Sequence, residues 1–430
     1  MTRTFKLASR VYFSIFLFSF SSFSTASDFN LPFINVTCLG NAYADWATDT
    51  SDASIAYANP AGLVKITHQQ FVFSGLGLSG NTKFTGATTA TSTIPEPFTS
   101  HYAGSVSSGL GAYMPSFYYS IPLGKRIVFA LGQTTPFALG TSYDKDSIAR
   151  YAATRSQIVV IDFTPSVGIK LSDKLAIGLG FDANRLAFTL NNMVQTSQFT
   201  PDAESQNHVA GWGYGWHGGI LYQMLPATRL GVSFNSMVMF HATGDSESYP
   251  NNKAFFADVY RTTNQKSYAA LPARTQLSIH HDLNSRWAAM GTLFYTNWST
   301  LDKITLKNVI LPGGTTIPIS IPLNYHNTFD YSAGISFKAT EKWLLRTGFQ
   351  ILSTPSNNRN RALADPIGSA TILGLGAHYQ QNCSLGYELG YAHSFFRQEP
   401  VRLFTPVSSA VGHTNTQTSV YGVQVTWNIT

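Results

Sequence analysis

The sequence predicts an all-β protein: a fourteen-stranded antiparallel transmembrane β-barrel with an N-terminal segment plugging its lumen. Three observations carry that reading. First, the last strand alternates without a break: Tyr421, Val423, Val425, Trp427 and Ile429 fall on one face, and Gly422, Gln424, Thr426 and Asn428 on the other. Side chains alternate faces along a strand, so one face is apolar and one polar. Second, a secretory signal precedes the chain's repeating strands. Third, the connections alternate between short turns and long loops, as in barrels of the bacterial outer membrane, where lipid lies outside and a polar lumen inside.

Composition agrees. Charged residues make up 12% of the 430 residues, and aromatics 13%, with 21 Tyr and 30 Phe. Soluble domains carry about 25% charged residues. Mean hydropathy is nonetheless −0.02, because lumen-facing positions dilute the apolar ones. The formal charge is +6, and Arg3, Lys6 and Arg10 supply three of those positive charges. No basic run lies elsewhere, so nucleic acid is not an expected partner.

The elements follow in chain order. Residues 1–26 read as a signal peptide: a basic stretch from Arg3 to Arg10, an apolar run from Val11 to Phe20, and small residues at Ser24-Thr25-Ala26 with cleavage after Ala26. The apolar run is too short for a spanning helix, which needs about 20 residues. Ser27 to His68 is rich in Ala, Asp, Asn and Ser and does not alternate. About forty residues cannot bury a core of their own. Its small residues favour a plug inside the wall over a tail outside it.

The barrel is expected over 69–430. Its strands read as Gln70–Gly80, Pro115–Leu123, Ile127–Tyr143, Ser156–Leu171, Leu175–Asn191, Gly211–Leu225 and Arg229–Gly244 in the first half. Thr275–Leu283, Trp287–Leu306, Thr328–Ala339, Trp343–Ser353, Ala370–Gln380, Leu385–Phe396 and Thr418–Ile429 complete it. Short turns such as Gly124-Lys125-Arg126, Ser172-Asp173-Lys174 and Thr340-Glu341-Lys342 define one rim. Long loops, including Asn81–Tyr113 with Pro95, Pro97, Phe98 and Tyr102, define the other. An even strand count brings both chain ends to the short-turn, periplasmic rim. Charges such as Arg346, Lys170 and Glu388 fall on the polar face. A lipid-facing Arg at mid-membrane costs about 2–4 kcal/mol.

Within the plug stands Asp52-Ala53-Ser54-Ile55-Ala56-Tyr57-Ala58-Asn59-Pro60-Ala61-Gly62-Leu63. This stretch resembles the hatch signature of the FadL-type family (OMPP1/FadL/TodX) of long-chain fatty acid and aromatic-hydrocarbon outer-membrane transporters. Pro136-Phe137-Ala138-Leu139-Gly140-Thr141 with Arg150-Tyr151, Leu271-Pro272-Ala273-Arg274, Tyr295-Thr296-Asn297-Trp298-Ser299 and Tyr391-Ala392-His393 extend the resemblance along the mature chain. It implies a multi-pass barrel in the outer membrane of a Gram-negative cell, surrounded by outer-membrane lipid. Hydrophobic small molecules, long-chain fatty acids first, would pass it without an energy source, gated by the hatch, and leave sideways through the wall. A monomer is expected, with no cofactor, no metal and no enzyme activity. The alternatives are a general diffusion porin and an aromatic-hydrocarbon uptake channel.

The candidate residues divide by role. Asn59, Pro60 and Ala61 are expected to gate at the hatch. Pro136, Phe137 and Gly140 mark a lateral opening, since Pro cannot donate a ladder hydrogen bond; an ordinary bulge is the competing reading. Arg185 and Phe188 are the substrate-binding candidates. Arg185 would face lipid in strict register, but apolar residues move to even positions at Leu186, Phe188 and Leu190. That change suggests a bulge near 184–185 turning Arg185 inward. The family's pocket arginine aligns at Ala187. Arg346 and Lys338 are alternatives that would instead pair with Glu388 or Asp330. Gly75-Leu76-Gly77-Leu78-Ser79-Gly80 opens no helix and is not a dinucleotide site. His280-His281 places its rings on opposite faces. Cys38 and Cys383 are compatible with a disulfide or two thiols.

Overall fold

The computed structural model describes residues 35–92, 98–196, 201–251, 257–365, 368–405 and 408–429. The signal-peptide reading of residues 1–26, and Pro95 and Pro97, lie outside them. A short helix α1 (Val36–Gly40) opens the described chain, followed by α2 (Ile55–Ala58) and a 3-10 turn over Pro60–Lys65. Asn35 caps α1 by accepting the Cys38 amide at 2.7 Å.

The wall begins with β1 (Gln69–Ser92), β2 (Phe98–Pro122), β3 (Ile127–Ser142), β4 (Arg155–Lys170), β5 (Leu175–Val194) and β6 (Ala203–Leu225). The next four staves are each interrupted once. β7 (Thr228–Asn235) resumes as β8 (Val238–Tyr249), and β9 (Tyr260–Leu271) as β10 (Arg274–Asp282). β11 (Trp287–Thr296) resumes as β12 (Lys303–Ile310), and β13 (Thr316–Pro322) as β14 (Thr328–Lys338). β15 (Trp343–Leu352), β16 (Ala370–Gln380), β17 (Leu385–Phe396) and β19 (Ser408–Ile429) complete fourteen antiparallel staves. β18 (Glu399–Phe404) is a short hairpin partner of β19 in an external loop. The sheet closes where β1 pairs with β19, from Gln69↔Ile429 to Ala90↔Ser408. Closure pairs the first and last strands and leaves no open end to the sheet, the condition for strands to sit in hydrocarbon.

The two faces sort as the alternation requires. Tyr421, Val423, Val425 and Trp427 are exposed on the outside, while Val420, Gln424 and Thr426 are buried inside. Phe71 stacks on Tyr119 at 4.6 Å and on Trp427 at 5.8 Å near the chain ends, and Trp343 lies 4.8 Å from Tyr379. These rings form the girdle that tolerates both lipid and water. Gly124 takes a φ of 87° in the β2–β3 turn, a conformation that side chains disfavour. His280 and His281 point to opposite faces: His280 meets Asp45, and His281 meets Thr228. Cys38 is a buried free thiol and Cys383 an exposed one.

Outside the membrane the strands run farther than the alternation indicated. The loop expected over Asn81–Tyr113 is mostly ladder: β1 continues to Ser92, and β2, with Phe98 and Tyr102, starts at Phe98. Here most side chains on both faces are polar, with Phe84 and Leu110 buried among them, so no sustained hydrophobic period marks the strand. Cross-strand hydroxyl pairs hold it instead, Thr82 with Thr416 at 2.8 Å and Thr89 with Ser409 at 2.7 Å.

Candidate functional site

Residues 35–66 lie within the lower, periplasmic half of the lumen and are almost entirely buried. Trp46 anchors this segment, packing edge-on against Tyr43, Tyr57 and Phe294 of β11. Asn59 stitches it to the wall. Its Oδ1 accepts the Ala61 amide at 3.1 Å and caps the 3-10 turn. Its Nδ2 donates to the Ala47 carbonyl at 2.7 Å and to the Ile220 carbonyl of β6 at 3.1 Å. Pro60 and Ala61 press against the wall where β5 carries Gly178; a β-carbon there would collide with the Ala61 amide and the Pro60 carbonyl carbon. Gly219 of β6 leaves room for the Asn59 amide in the same way. The hatch therefore sits on bare backbone, a seat that tolerates no side chain.

Beside this seat, His217 Nδ1 lies 2.7 Å from Asp182 Oδ1, and His217 Nε2 lies 3.2 Å from Ser166 Oγ. The three residue types are those of a hydrolase triad. The geometry is that of a fastener. His217 Nε2 is closer to the Ala56 carbonyl of the hatch, at 2.9 Å, than to the serine. All three residues are less than 5% exposed beneath the hatch, with no approach for a substrate carbonyl.

A second set of contacts ties the hatch acids to other staves of the wall. Asp45 Oδ2 lies 2.9 Å from His280 Nδ1 and 3.8 Å from Arg229, whose Nε donates to the Thr48 carbonyl at 2.7 Å. Burial disfavours the Asp45 charge, but the hydrogen bond and charge of His280, with Arg229, hold its carboxyl below the usual range. Asp49 has no such partner set. Burial first, then the charges of Asp45 and Asp52, push its carboxyl up to about 6. Asp52 Oδ2 accepts from Thr37 at 3.1 Å and from Gln424 of β19 at 2.8 Å. Arg346 faces the lumen and donates to Glu388 at 2.7 Å, the pairing expected of it. Lys338 instead pairs with Glu341 at the periplasmic turn, at 2.7 Å.

Above the hatch the wall parts. β2 and β3 are paired from Pro122↔Val128 to Phe117↔Gln133. Beyond Gln133 that ladder stops, although β2 stays paired with β1, and β3 with β4 as far as Ser142↔Arg155. The β3–β4 register shifts between Thr134 and Phe137, so one extra residue is inserted around Thr135-Pro136. A bulge flips the faces that follow it, and Phe137 turns inward, 2% exposed. Gly140 lies on the same unladdered stretch. A few contacts still cross the parting, among them Ser116 with Thr134 at 3.2 Å and the Ser142 amide with Ser108 Oγ at 2.8 Å.

Above the hatch the interior carries a large apolar cluster. Phe137, Val160, Leu186, Phe188, Leu190, Val209, Phe240, Trp298, Leu306 and Tyr325 belong to one buried cluster. Phe188 is thus placed on the lumen side, with its neighbours Leu186 and Leu190. Arg185 is not. β5 pairs with β6 in one unbroken register from Leu175↔Tyr222 to Val194↔Ala203, so the expected bulge near 184–185 is absent. Arg185 faces outward, 5.7 Å over the ring of Trp212. A cation near the external interface costs only about 0–1 kcal/mol, so strict register prevails. The even positions of β5 change from Asp182 and Asn184 to Leu186, Phe188 and Leu190 because the lumen itself changes polarity there.

At the floor of this cluster stands Arg274, 5% exposed, the last residue of the Leu271-Pro272-Ala273-Arg274 motif, whose sequence alone assigns it no role. Its Nη2 donates to the Tyr57 hydroxyl of the hatch at 2.6 Å. Its guanidinium lies 5.9 Å over the Tyr57 ring and 5.6 Å over that of Phe137. One side chain thus touches the hatch, the bulged strand and the apolar cluster.

Comparison with known proteins places this arrangement. The family model described as outer membrane protein transport protein (OMPP1/FadL/TodX) matches residues 17–428. Outer membrane protein P1 of Haemophilus influenzae is 26% identical over 405 residues, 86% of each chain. The long-chain fatty acid transport protein of Escherichia coli K12 is 21% identical over 404 residues, 86% of this chain and 87% of that one. Among solved structures, a Pseudomonas aeruginosa FadL homologue superposes with a TM-score of 0.82 at 21% identity, covering 94% of this chain and 100% of that one. The Ralstonia pickettii toluene transporter TbuX gives 0.64 at 17% identity, covering 93% and 98%.

Proposed function

This chain belongs to the outer membrane protein transport family (OMPP1/FadL/TodX), and from that premise, which makes it an outer-membrane transporter of hydrophobic compounds, we propose that its substrate is a long-chain fatty acid. The observation that carries the choice is Arg274. An apolar enclosure with a buried guanidinium at its base complements an alkyl tail ending in a carboxylate. A neutral aromatic hydrocarbon offers that charge only its ring face, a weaker partner than a carboxylate. The acid enters from the outer surface, lays its tail among Phe188, Phe240 and Leu306, and brings its carboxylate to Arg274 in competition with the Tyr57 hydroxyl. Loosening the Arg274–Tyr57 contact unsettles the hatch around Asn59, Pro60 and Ala61. The acid then leaves sideways between β2 and β3, where Pro136, Phe137 and Gly140 line a wall without a ladder. That exit keeps the alkyl chain out of water. A water-filled porin is disfavoured because the hatch occupies the lower lumen.

The test compares oleate with oleyl alcohol on the purified barrel in detergent. The wild type is expected to bind the acid about tenfold tighter than the alcohol, a difference of about 1.4 kcal/mol. Arg274→Met should abolish the preference while leaving alcohol binding unchanged. Equal binding of acid and alcohol by the wild type would refute the fatty-acid assignment and favour the aromatic-hydrocarbon reading.

A further inference from the structure

Above the membrane the outer surface is divided by charge. Around β6 to β9, acids and bases are interspersed and paired: Lys145 with Glu204, Arg150 with Asp202, and Arg261 with Asp245 and Glu247. The sector from β15 round to β2 differs. Above its periplasmic turns, its exposed charges among the described residues are cations: Lys83, Arg359, Arg397 and Arg402. The acids of that sector among the described residues, Asp365, Glu388 and Glu399, are buried.

Two of these cations share a cavity. The loop after β15 and the β18–β19 hairpin border an open cavity of about 780 Å³ lined by Arg359, Asn360, Arg402, Phe404 and Val411. The cavity is braced from behind. Arg361 is buried, donates to the Pro400 carbonyl at 2.7 Å and faces Glu399 at 3.6 Å. The Arg402 amide donates to the Asn358 carbonyl at 2.7 Å. The guanidiniums of Arg359 and Arg402 have no ion pair or hydrogen bond among the described residues. Phe404 is 67% exposed and Val411 42% exposed beside them. Two unpaired cations next to an open aromatic face call for an anion carried on a ring with an apolar side.

Height decides which anion. On β19 the outward side chains turn polar above Tyr421, at Ser419, Gln417 and Asn415. Val411 lies ten residues past Tyr421 on that strand, on the order of 25 Å above it at about 3.3 Å per residue and a tilt of about 40°. An acyl chain in the hydrocarbon does not reach that level. The saccharide portion of an outer-leaflet lipid does.

We infer that this pocket binds a phosphorylated sugar, supplied by the saccharide core of the lipopolysaccharide that surrounds the barrel. Arg359 and Arg402 grip the phosphate as paired planar donors. Phe404 packs on the C–H face of the sugar, and Asn360 offers its amide to a hydroxyl. The site is separate from the lumen, so it stands whatever the transported substrate is.

The test uses the full-length barrel in detergent and three probes: lipopolysaccharide with a phosphorylated core, the same material after enzymatic dephosphorylation, and inorganic phosphate. The wild type should bind the first about tenfold or more tighter than the second, and an Arg359→Gln/Arg402→Gln double variant should lose that margin. Heat-modifiable migration on gels reports that the variant barrel is folded. A Lys83→Gln/Arg397→Gln variant, with cations of the same sector outside the pocket, should keep the margin. The proposal is overturned if dephosphorylation changes nothing, if the double variant binds like the wild type, or if inorganic phosphate alone binds as tightly as the lipid.

Discussion

The two halves of the lumen obey different rules. In the lower half the wall meets the hatch with apolar side chains such as Leu76, Met114 and Phe294, and also with polar groups and bare glycines, because the hatch brings backbone groups that need partners: Ile220 offers a carbonyl to Asn59, Ser278 accepts the Ala47 amide at 3.0 Å, and Gln70 accepts the Ala53 amide at 2.6 Å. In the upper half no hatch backbone enters the apolar cluster, and Leu186, Phe188, Val209 and Phe240 pack on one another. A barrel interior is polar where it must satisfy something and apolar where it must hold something apolar. Arg274 stands at the boundary and belongs to both.

The strongest way to break this comparison is to spoil the seat. Gly178→Val places a side chain where Pro60 and Ala61 lie. The hatch should lose its docking, and planar-bilayer conductance should rise from near zero to porin-like values. Unchanged conductance would show that other contacts hold the plug. At the boundary, Pro136→Thr restores an amide to β3 and lets its ladder toward β2 extend. Fatty-acid uptake by cells should fall several-fold, while oleate affinity in detergent stays within about twofold, since the upper enclosure is untouched. Equal uptake would remove Pro136 from the exit.

A smaller effect sharpens the electrostatics of the lower half. Asp49 docks with its carboxyl raised to about 6 from an ordinary 3.8. The docked hatch therefore binds that proton more tightly than the undocked one. Docking is undiminished below the ordinary value and weakens as pH rises through about 6. Cys38, buried in the hatch, is a built-in reporter. In a Cys383→Ser background, its fractional exposure to a thiol probe, corrected for the probe's own pH dependence, should be several-fold lower near pH 5 than near pH 7.5. Asp49→Asn should flatten that difference.

Much of this was legible in one dimension. The alternation of Tyr421 to Asn428, the short turns at Gly124, Ser172 and Thr340, and the stretch ending in Asn59-Pro60-Ala61 gave the barrel, its rims and a candidate plug. Pro136 announced an irregular strand, because a missing amide is a local property. The difference at Arg185 has an equally plain cause. In sequence the apolar run Leu186, Phe188, Leu190 looks the same for a change of register as for a change of environment, and the fold shows a change of environment. The polar external extensions of β1 and β2 left no trace, since alternation is visible only when two solvents differ.

Local chemistry along the chain fixed the period of the strands, the sites of the turns and the identity of the medium outside, because each depends on residues within a few positions of one another. Folding decided which side chains meet. Arg274 and Tyr57 are 217 positions apart, and Asp52 and Gln424 are 372 apart. Such pairs exist only once closure of β1 on β19 has set the circumference and the hatch has settled on its glycines, and neither distance is written in any stretch of sequence.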